Sequence, residues 1–154
     1  QGLSFGLGSA IAARLDRRET KVYVLLGDGE LEEGQIWEAA MAAPFHELGN
    51  LTAIVDRNRI QNDRFTSEVM GLEPLGDRWQ SFGWVTIEID GHDFSQILPA
   101  LEKSQISCEK PTVIIANTIK GKGISFMENN PEFHGKPPNP EQLAQALQEL
   151  QDGN

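Results

Sequence analysis

The 154-residue chain has one cysteine, few basic residues and no long apolar run. Its single cysteine, Cys108, excludes an internal disulfide and a zinc site made of several cysteines. No apolar run approaches the roughly 20 residues that a membrane-spanning helix needs, so we expect no membrane contact. The 13 Lys and Arg against 23 Asp and Glu give a net charge of −10. This balance argues against a nucleic-acid partner, because nucleic-acid-binding proteins normally carry a basic face.

What remains is a globular chain long enough for one domain with a sizeable core. No secretory leader is visible from Gln1 onward. Because the chain starts at Gln1 rather than Met, removal of a leader stays open, and the single cysteine favours a cytoplasmic location.

Strands alternate with helices along the sequence. Continuous apolar, β-branched runs predict buried strands at 21–26, 51–55, 84–89 and 112–116. Apolar periodicity predicts helices at 2–15, 31–43, 75–82, 94–106 and 140–150. We expect Pro44 to end the second helix at Ala43 and Asp93 to cap the fourth. This order predicts an α/β fold, a doubly wound, mostly parallel sheet with helices on both faces.

Ligands bind beyond the carboxyl ends of the strands in such sheets, so the residues after each strand form the candidate site. Gly27-Asp28-Gly29 follows the first predicted strand, and Asn58 follows the second. Glycines let the backbone turn sharply, and the next helix would present N–H groups to a phosphate. Asp28 and Asn58, with a backbone carbonyl, suit Mg²⁺ or Ca²⁺ bridging a diphosphate to the protein. Either residue alone is more often an ordinary turn residue, but the pair is more specific.

Three segments in order resemble the transketolase family of thiamine diphosphate enzymes, in its N-terminal, diphosphate-binding domain. They are GDGELEEGQIWEAA at 27–40, DRNRIQ at 56–61 and TIKGKGISFMENNPEFHGKP at 118–137, where Phe133 replaces the family's usual Trp. The resemblance runs along nearly the whole chain and implies the thiamine-diphosphate-binding fold. It also implies a domain truncated at its N-terminus, without the family's pyrimidine-binding and C-terminal domains.

The resemblance assigns roles to individual residues. Asp28, Asn58 and the carbonyl of Ile60 match the family's metal ligands, for Mg²⁺ or Ca²⁺. Cofactor contacts are implied at Gly27, Gly29, Glu33, Asn58, Lys120 and His134, and Glu33 also matches a glutamate near the family's subunit interface. His134 is the catalytic candidate, either stabilising phosphate charge or moving a proton near the reacting carbon. Without the resemblance, Lys120 and His134 would be read as ordinary loop residues.

The implied reaction is transfer of a two-carbon ketol unit from a ketose phosphate donor to an aldose phosphate acceptor. The implied partners are a second copy of the chain, a pyrimidine-binding partner subunit, or both. Two alternatives stay open. Deoxyxylulose-phosphate synthases and ketoacid dehydrogenases share the GDG and Asn pair, and a non-catalytic assembly module would keep the same fold without turnover.

Two further expectations concern residues outside the proposed ligand set. The helix after Gly29 carries Ile36, Trp37, Met41 and Phe45, more apolar surface than one stripe against the sheet requires. Self-association through this helix and segment 2–13 is therefore expected, with burial of the helix inside the domain as the alternative. His92, in a turn after the third strand, is expected to be structural, and His46 to end a helix.

Overall fold

The computed structural model describes residues 1–62, 64–106 and 109–152. Cys108, the subject of the disulfide argument, lies outside these residues. The helices are α1 (Gly2–Leu15), α2 (Gly34–Phe45), α3 (Thr66–Val69), α4 (Leu75–Ser81), α5 (Phe94–Ser104) and α6 (Pro140–Asp152). The strands are β1 (Val22–Gly27), β2 (Leu51–Arg57), β3 (Ile60–Gln61), β4 (Arg64–Phe65), β5 (Val85–Asp90) and β6 (Thr112–Asn117). Among the described residues, no helix is long and apolar enough to span a membrane.

The central sheet has four parallel strands in the order β1-β2-β6-β5. Strand β2 is adjacent to β1, as the sequence argument for the Asp28 and Asn58 pair requires. Strands β3 and β4 form a small antiparallel hairpin directly after β2. The predicted α/β architecture is confirmed, and all four predicted strands form within two residues of their expected bounds.

One face of the sheet carries the larger core, packed against α1, α2 and α4. Helix α1 lies very close to β1 because Gly6 has no side chain. A Cβ atom at Gly6 would come within 2.4 Å of Val24 Cγ2. Leu3, Gly6, Ala10 and Ala13 form its buried stripe. The small residues of this segment therefore set the distance between helix and sheet.

The other face carries a smaller core, in which Ala100 of α5 packs with Ile89, Ile114 and Ala116. Helix α5 contacts β5 and β6. On this face Leu25 of β1 is 71% exposed. Helices therefore cover both faces, but the second face is covered mainly over β5 and β6.

Helix α2 differs from its predicted bounds at both ends. A 3₁₀ turn over Gly29–Glu32 precedes it, so the α-helix begins at Gly34 rather than at Leu31. It continues through Pro44 to Phe45 instead of ending at Ala43, because the Ala40 carbonyl, which the missing Pro44 N–H leaves free, accepts from the Trp84 indole N–H instead. His46 is the C-cap, as predicted. Asp93 caps α5 as predicted, with its carboxylate accepting from the Ser95 N–H.

Candidate functional site

The candidate site lies where β1 and β2 end side by side. Gly27 is paired with Asp56 across the two strands, and the Asp28 N–H donates to the Asp56 carbonyl at 3.3 Å. The turns that follow the two strands therefore start at the same edge of the sheet. This parallel register brings Asp28 and Asn58 into one region of the molecule.

A cavity of about 490 Å³ occupies this edge. The described residues that line it are Gly27, Asp28, Gly29, Glu30, Glu32, Glu33, Asn58, Ile60, Gln61, Asn62 and His134. Of the residues assigned from the sequence, all but Lys120 line this cavity. The structure thus brings together residues from three separate segments of the chain, including the His134 loop.

Asp28 is the buried charge of the site, with only 4% of its surface exposed. Burial raises the pKa of its carboxyl, against the opposing effect of two backbone hydrogen bonds, from the N–H of Arg59 and from that of Gly29. The nearby Asp56 carboxylate adds a further rise to the Asp28 pKa. A cation beside Asp28 would relieve this electrostatic penalty, because an opposite charge favours the ionised form.

The segment Asn58–Ile60 turns back toward Asp28. Asn58 Oδ1 accepts from the Ile60 N–H at 3.0 Å, and the Arg59 N–H donates to the Asp28 carboxylate. Arg59 has φ +63°, the left-handed region that few residues other than glycine adopt readily. The turn is thus held by hydrogen bonds to the side chains of Asp28 and Asn58. It places the Asn58 amide oxygen and the Ile60 backbone beside the Asp28 carboxylate.

Gln61 is a site residue to which the sequence assigned no role. Its buried side chain donates to Glu32 Oε1 at 2.8 Å and packs against Gly29. A Cβ atom at Gly29 would lie 2.7 Å from Gln61 Cβ, so only glycine fits there without a shift. The one sequence feature that could have identified Gln61 as a site residue was its position directly after Ile60 in the DRNRIQ segment.

The donor set suits a hard divalent cation. Asp28, Asn58 and the Ile60 carbonyl offer one carboxylate, one amide oxygen and one carbonyl, and Mg²⁺ usually takes few protein ligands. Among the described residues, no three His, Cys, Asp or Glu side chains group as a metal site. Glu30, Glu32 and Glu33 line the same cavity, so an anionic ligand there would require a compensating cation.

Lys120 and His134 lie on the long segment after β6. His134 is exposed, follows a 3₁₀ turn at Pro131–Phe133 and lines the cavity. Lys120 begins a loop whose ends are joined, because the Asn129 N–H donates to the Lys120 carbonyl at 3.0 Å. Within the described residues no carboxylate lies within 4 Å of the Lys120 ammonium, whereas Lys122 pairs with Glu128 at 3.7 Å.

Fold and cavity define an α/β domain with an acidic, oxygen-rich site at the carboxyl ends of neighbouring parallel strands. The family described as "Transketolase, thiamine diphosphate binding domain" matches residues 10–151. The chain belongs to the transketolase family, in its thiamine-diphosphate-binding domain.

Individual relatives agree with this membership. The chain is 44% identical over 151 residues to an apulose-4-phosphate transketolase subunit of Phocaeicola vulgatus, covering 98% of this chain and 54% of the relative. It is 43% identical over 151 residues to the 6-deoxy-6-sulfo-D-fructose transketolase subunit SqwG of a Clostridium species, covering 98% of this chain and 55% of the relative. The crystal structure of Campylobacter jejuni transketolase superposes with a TM-score of 0.86 at 31% identity, covering 97% of this chain and 24% of that chain. The chain therefore spans about half the length of these two subunit relatives.

Proposed function

We propose that this chain binds thiamine diphosphate with a divalent cation and, together with a partner chain, transfers two-carbon ketol units between sugar phosphates. The observation that carries the proposal is the convergence of Asp28, Asn58 and Ile60 on one cavity at two adjacent strand ends. Membership of the transketolase family supports the reaction class over the synthase and dehydrogenase alternatives. A cytoplasmic location remains a prediction from the sequence.

In this proposal Asp28 provides the negative charge that holds the cation. The Gly29 and Arg59 N–H groups orient its carboxylate, which keeps lone pairs on both oxygens for a metal. Asn58 Oδ1 and the Ile60 carbonyl complete the protein's share of the coordination shell. The remaining positions would go to phosphate oxygens and water, as is usual for Mg²⁺.

Gly27 and Gly29 are proposed to bring the backbone close to the diphosphate: open space lies where a Gly27 side chain would be, and Gly29 leaves room for Gln61 beside the turn. Lys120 would supply positive charge near the diphosphate, and His134 would face the reacting end of the site. Glu33 lines the same cavity, and it is proposed to lie near a subunit interface as well.

Bound thiamine diphosphate supplies the electron sink that the carbon–carbon chemistry of ketol transfer needs. The chain's own residues bind and orient the diphosphate end and place an imidazole at the cavity. The pyrimidine end would contact a second polypeptide, either another copy of this chain or a different partner. Two relatives carry the word "subunit" in their names, which supports an assembly of more than one chain.

Calorimetric titration of the chain with thiamine diphosphate, with and without Mg²⁺, tests the binding half of the proposal. We expect binding that requires the cation. Binding of equal strength in the presence of a chelator would contradict the metal assignment, and no binding under either condition would contradict the cofactor site.

A ketol-transfer assay with sugar phosphates tests the catalytic half. We expect at most trace turnover from the chain alone and cofactor-dependent turnover with a pyrimidine-binding partner. Robust turnover by the purified chain would show that no partner is needed. Cofactor binding without turnover in any pairing would favour the non-catalytic assembly module.

A further inference from the structure

The turn after β5 holds the start of the Lys120 loop. His92 Nε2 accepts a hydrogen bond from the Ile119 N–H at 2.8 Å, at the residue directly before Lys120. One residue earlier, Gly91 is so close to Thr118 that a Cβ atom there would lie 2.4 Å from Thr118 Cγ2. The Gly91 N–H also donates to the Asn117 carbonyl at 2.8 Å. The two turns are therefore fitted against each other at adjacent strand ends.

His92 is presented by a well-fixed turn. Its N–H donates to Asp90 Oδ1 at 2.8 Å, and the next residue, Asp93, caps α5. The Asp90 N–H in turn donates to Gln96 Oε1 at 3.0 Å, which ties the turn to the helix. The imidazole is thus carried by a segment whose backbone is hydrogen-bonded on both sides.

The loop it holds is anchored at few points. Lys120 and Asn129 close it at the neck, and Ser125 near its tip bonds Glu149 of α6 through its N–H and hydroxyl. At the base, Thr118 bonds the Asp56 carboxylate and the Arg57 carbonyl. Among the described residues, His92 is the one side chain with a hydrogen bond to the Ile119 backbone N–H.

We propose that His92 is a positioning residue that sets the direction in which the neck of the loop presents Lys120 toward the diphosphate. The role rests on the proposed function, since it concerns the same cofactor site. Because Nε2 accepts the bond, the ring proton must lie on Nδ1. The role of His92 is geometric: it is not among the described residues that line the cavity, and its bond goes to the backbone of Ile119 rather than to Lys120.

Two amide substitutions separate this role from a general structural one. In His92→Gln the side-chain oxygen reaches the position of Nε2 and keeps an acceptor for the Ile119 N–H. In His92→Asn the same amide stops at the position of Nδ1, one atom short, and the acceptor is lost. Both variants keep a polar, uncharged side chain on the same exposed turn.

Hydrogen exchange of the 117–120 segment provides the first measurement and needs no cofactor. We expect exchange of the Ile119 amide to rise about three- to tenfold in His92→Asn, which is the increase expected when one hydrogen bond is lost. In His92→Gln, exchange of the Ile119 amide should stay close to its rate in the parent chain. Equal exchange in parent and His92→Asn, or an equal rise in both variants, would overturn the proposal.

Thiamine diphosphate titration in Mg²⁺ provides the second measurement. His92→Asn should raise the cofactor Kd about three- to tenfold, with Gln close to the parent, while thermal unfolding of all three chains stays alike. An unchanged Kd in His92→Asn would overturn the link to Lys120. A parent chain that binds no cofactor would instead contradict the proposed function, while the exchange measurement would still decide whether His92 holds the neck.

Discussion

Trp84, the residue directly before β5, donates its indole N–H to the carbonyl of Ala40 in α2 at 2.7 Å. In a regular helix this carbonyl would accept from the N–H four residues later, but that residue is Pro44, which has none. The contact is buried, since Trp84 and Ala40 have 4% and 0% of their surfaces exposed. A tertiary hydrogen bond thus satisfies the acceptor that proline leaves free.

Trp84→Phe should therefore destabilise the chain in a way that depends on Pro44. The substitution leaves the Ala40 carbonyl buried without a partner, which costs about 1–3 kcal/mol beyond the loss of packing. In a Pro44→Ala background the backbone N–H returns and this part of the cost should disappear. Denaturant unfolding of the two single variants and the double variant gives the coupling energy. Additive effects of the two substitutions would contradict the compensation.

Asp28→Asn should weaken cofactor binding that depends on Mg²⁺ by more than about tenfold, because it removes the only carboxylate proposed as a metal ligand. The asparagine keeps the size of the side chain, so circular dichroism and melting should report a folded chain. Glu32→Gln is the matched control, since it removes a charge from the same cavity without removing a proposed ligand. Unchanged thiamine diphosphate affinity in Asp28→Asn would refute the assignment.

The sheet and the site turns were predictable because their physical signals are local. A parallel strand buried on both faces must read as an unbroken apolar run, and β6 is buried from Thr112 to Ala116. Once adjacent parallel strands are placed, the residues at their carboxyl ends must meet, as Asp28 and Asn58 do. Asp93 was predictable for a similar reason, because an N-cap depends on hydrogen bonds within one turn.

The features that the sequence did not predict depend on contacts between segments that are distant along the chain. Gln61 gains its role by packing against Gly29, and nothing in its own sequence neighbourhood indicates that contact. The end of α2 depends on Trp84, which supplies from another element the hydrogen bond that Pro44 cannot. His92 was expected to be structural, but its partner Ile119 could be named only from the fold.

Asp93→Ala should lower the melting temperature at neutral pH and make little difference in strong acid. Hydrogen bonds from the Ser95 hydroxyl, the Gln96 amide and the Ser95 N–H hold the pKa of Asp93 below its ordinary value of 3.8. A carboxyl with a depressed folded-state pKa stabilises the fold above its unfolded-state pKa, and this stabilisation is lost as the pH falls through the folded-state value. Melting curves near pH 7 and well below pH 3.8 test the difference. Asp93→Asn, which caps without a charge, should lack the pH dependence, and a pH-independent loss in Asp93→Ala would count against the ionic contribution.

The outer face of α2 is the surface on which self-association can be tested without unfolding the chain. Met41 and Phe45 lie four residues apart on one side of the helix and are 60% and 82% exposed. Ile36, by contrast, has none of its surface exposed and belongs to the main core, so an Ile36→Asp substitution would bury a charge and test folding instead. The sequence-based expectation that Ile36 contributes to an outer apolar surface is therefore wrong. Met41 and Phe45 are exposed and can still form part of such a surface.

If copies of this chain associate through α2, the parent should sediment as at least a dimer at tens of micromolar. Met41→Asp with Phe45→Asp should then sediment as a monomer with an unchanged circular dichroism spectrum. The new carboxylates of the two copies would repel each other across the contact, and burying them would be costly. Leu98→Asp is the control, since it places the same charge on an exposed apolar position of α5, on the other face of the sheet. It should leave the oligomeric state unchanged. A parent chain that is monomeric at this concentration, or a double variant that associates as the parent does, would remove α2 as the contact and leave a different polypeptide to complete the site.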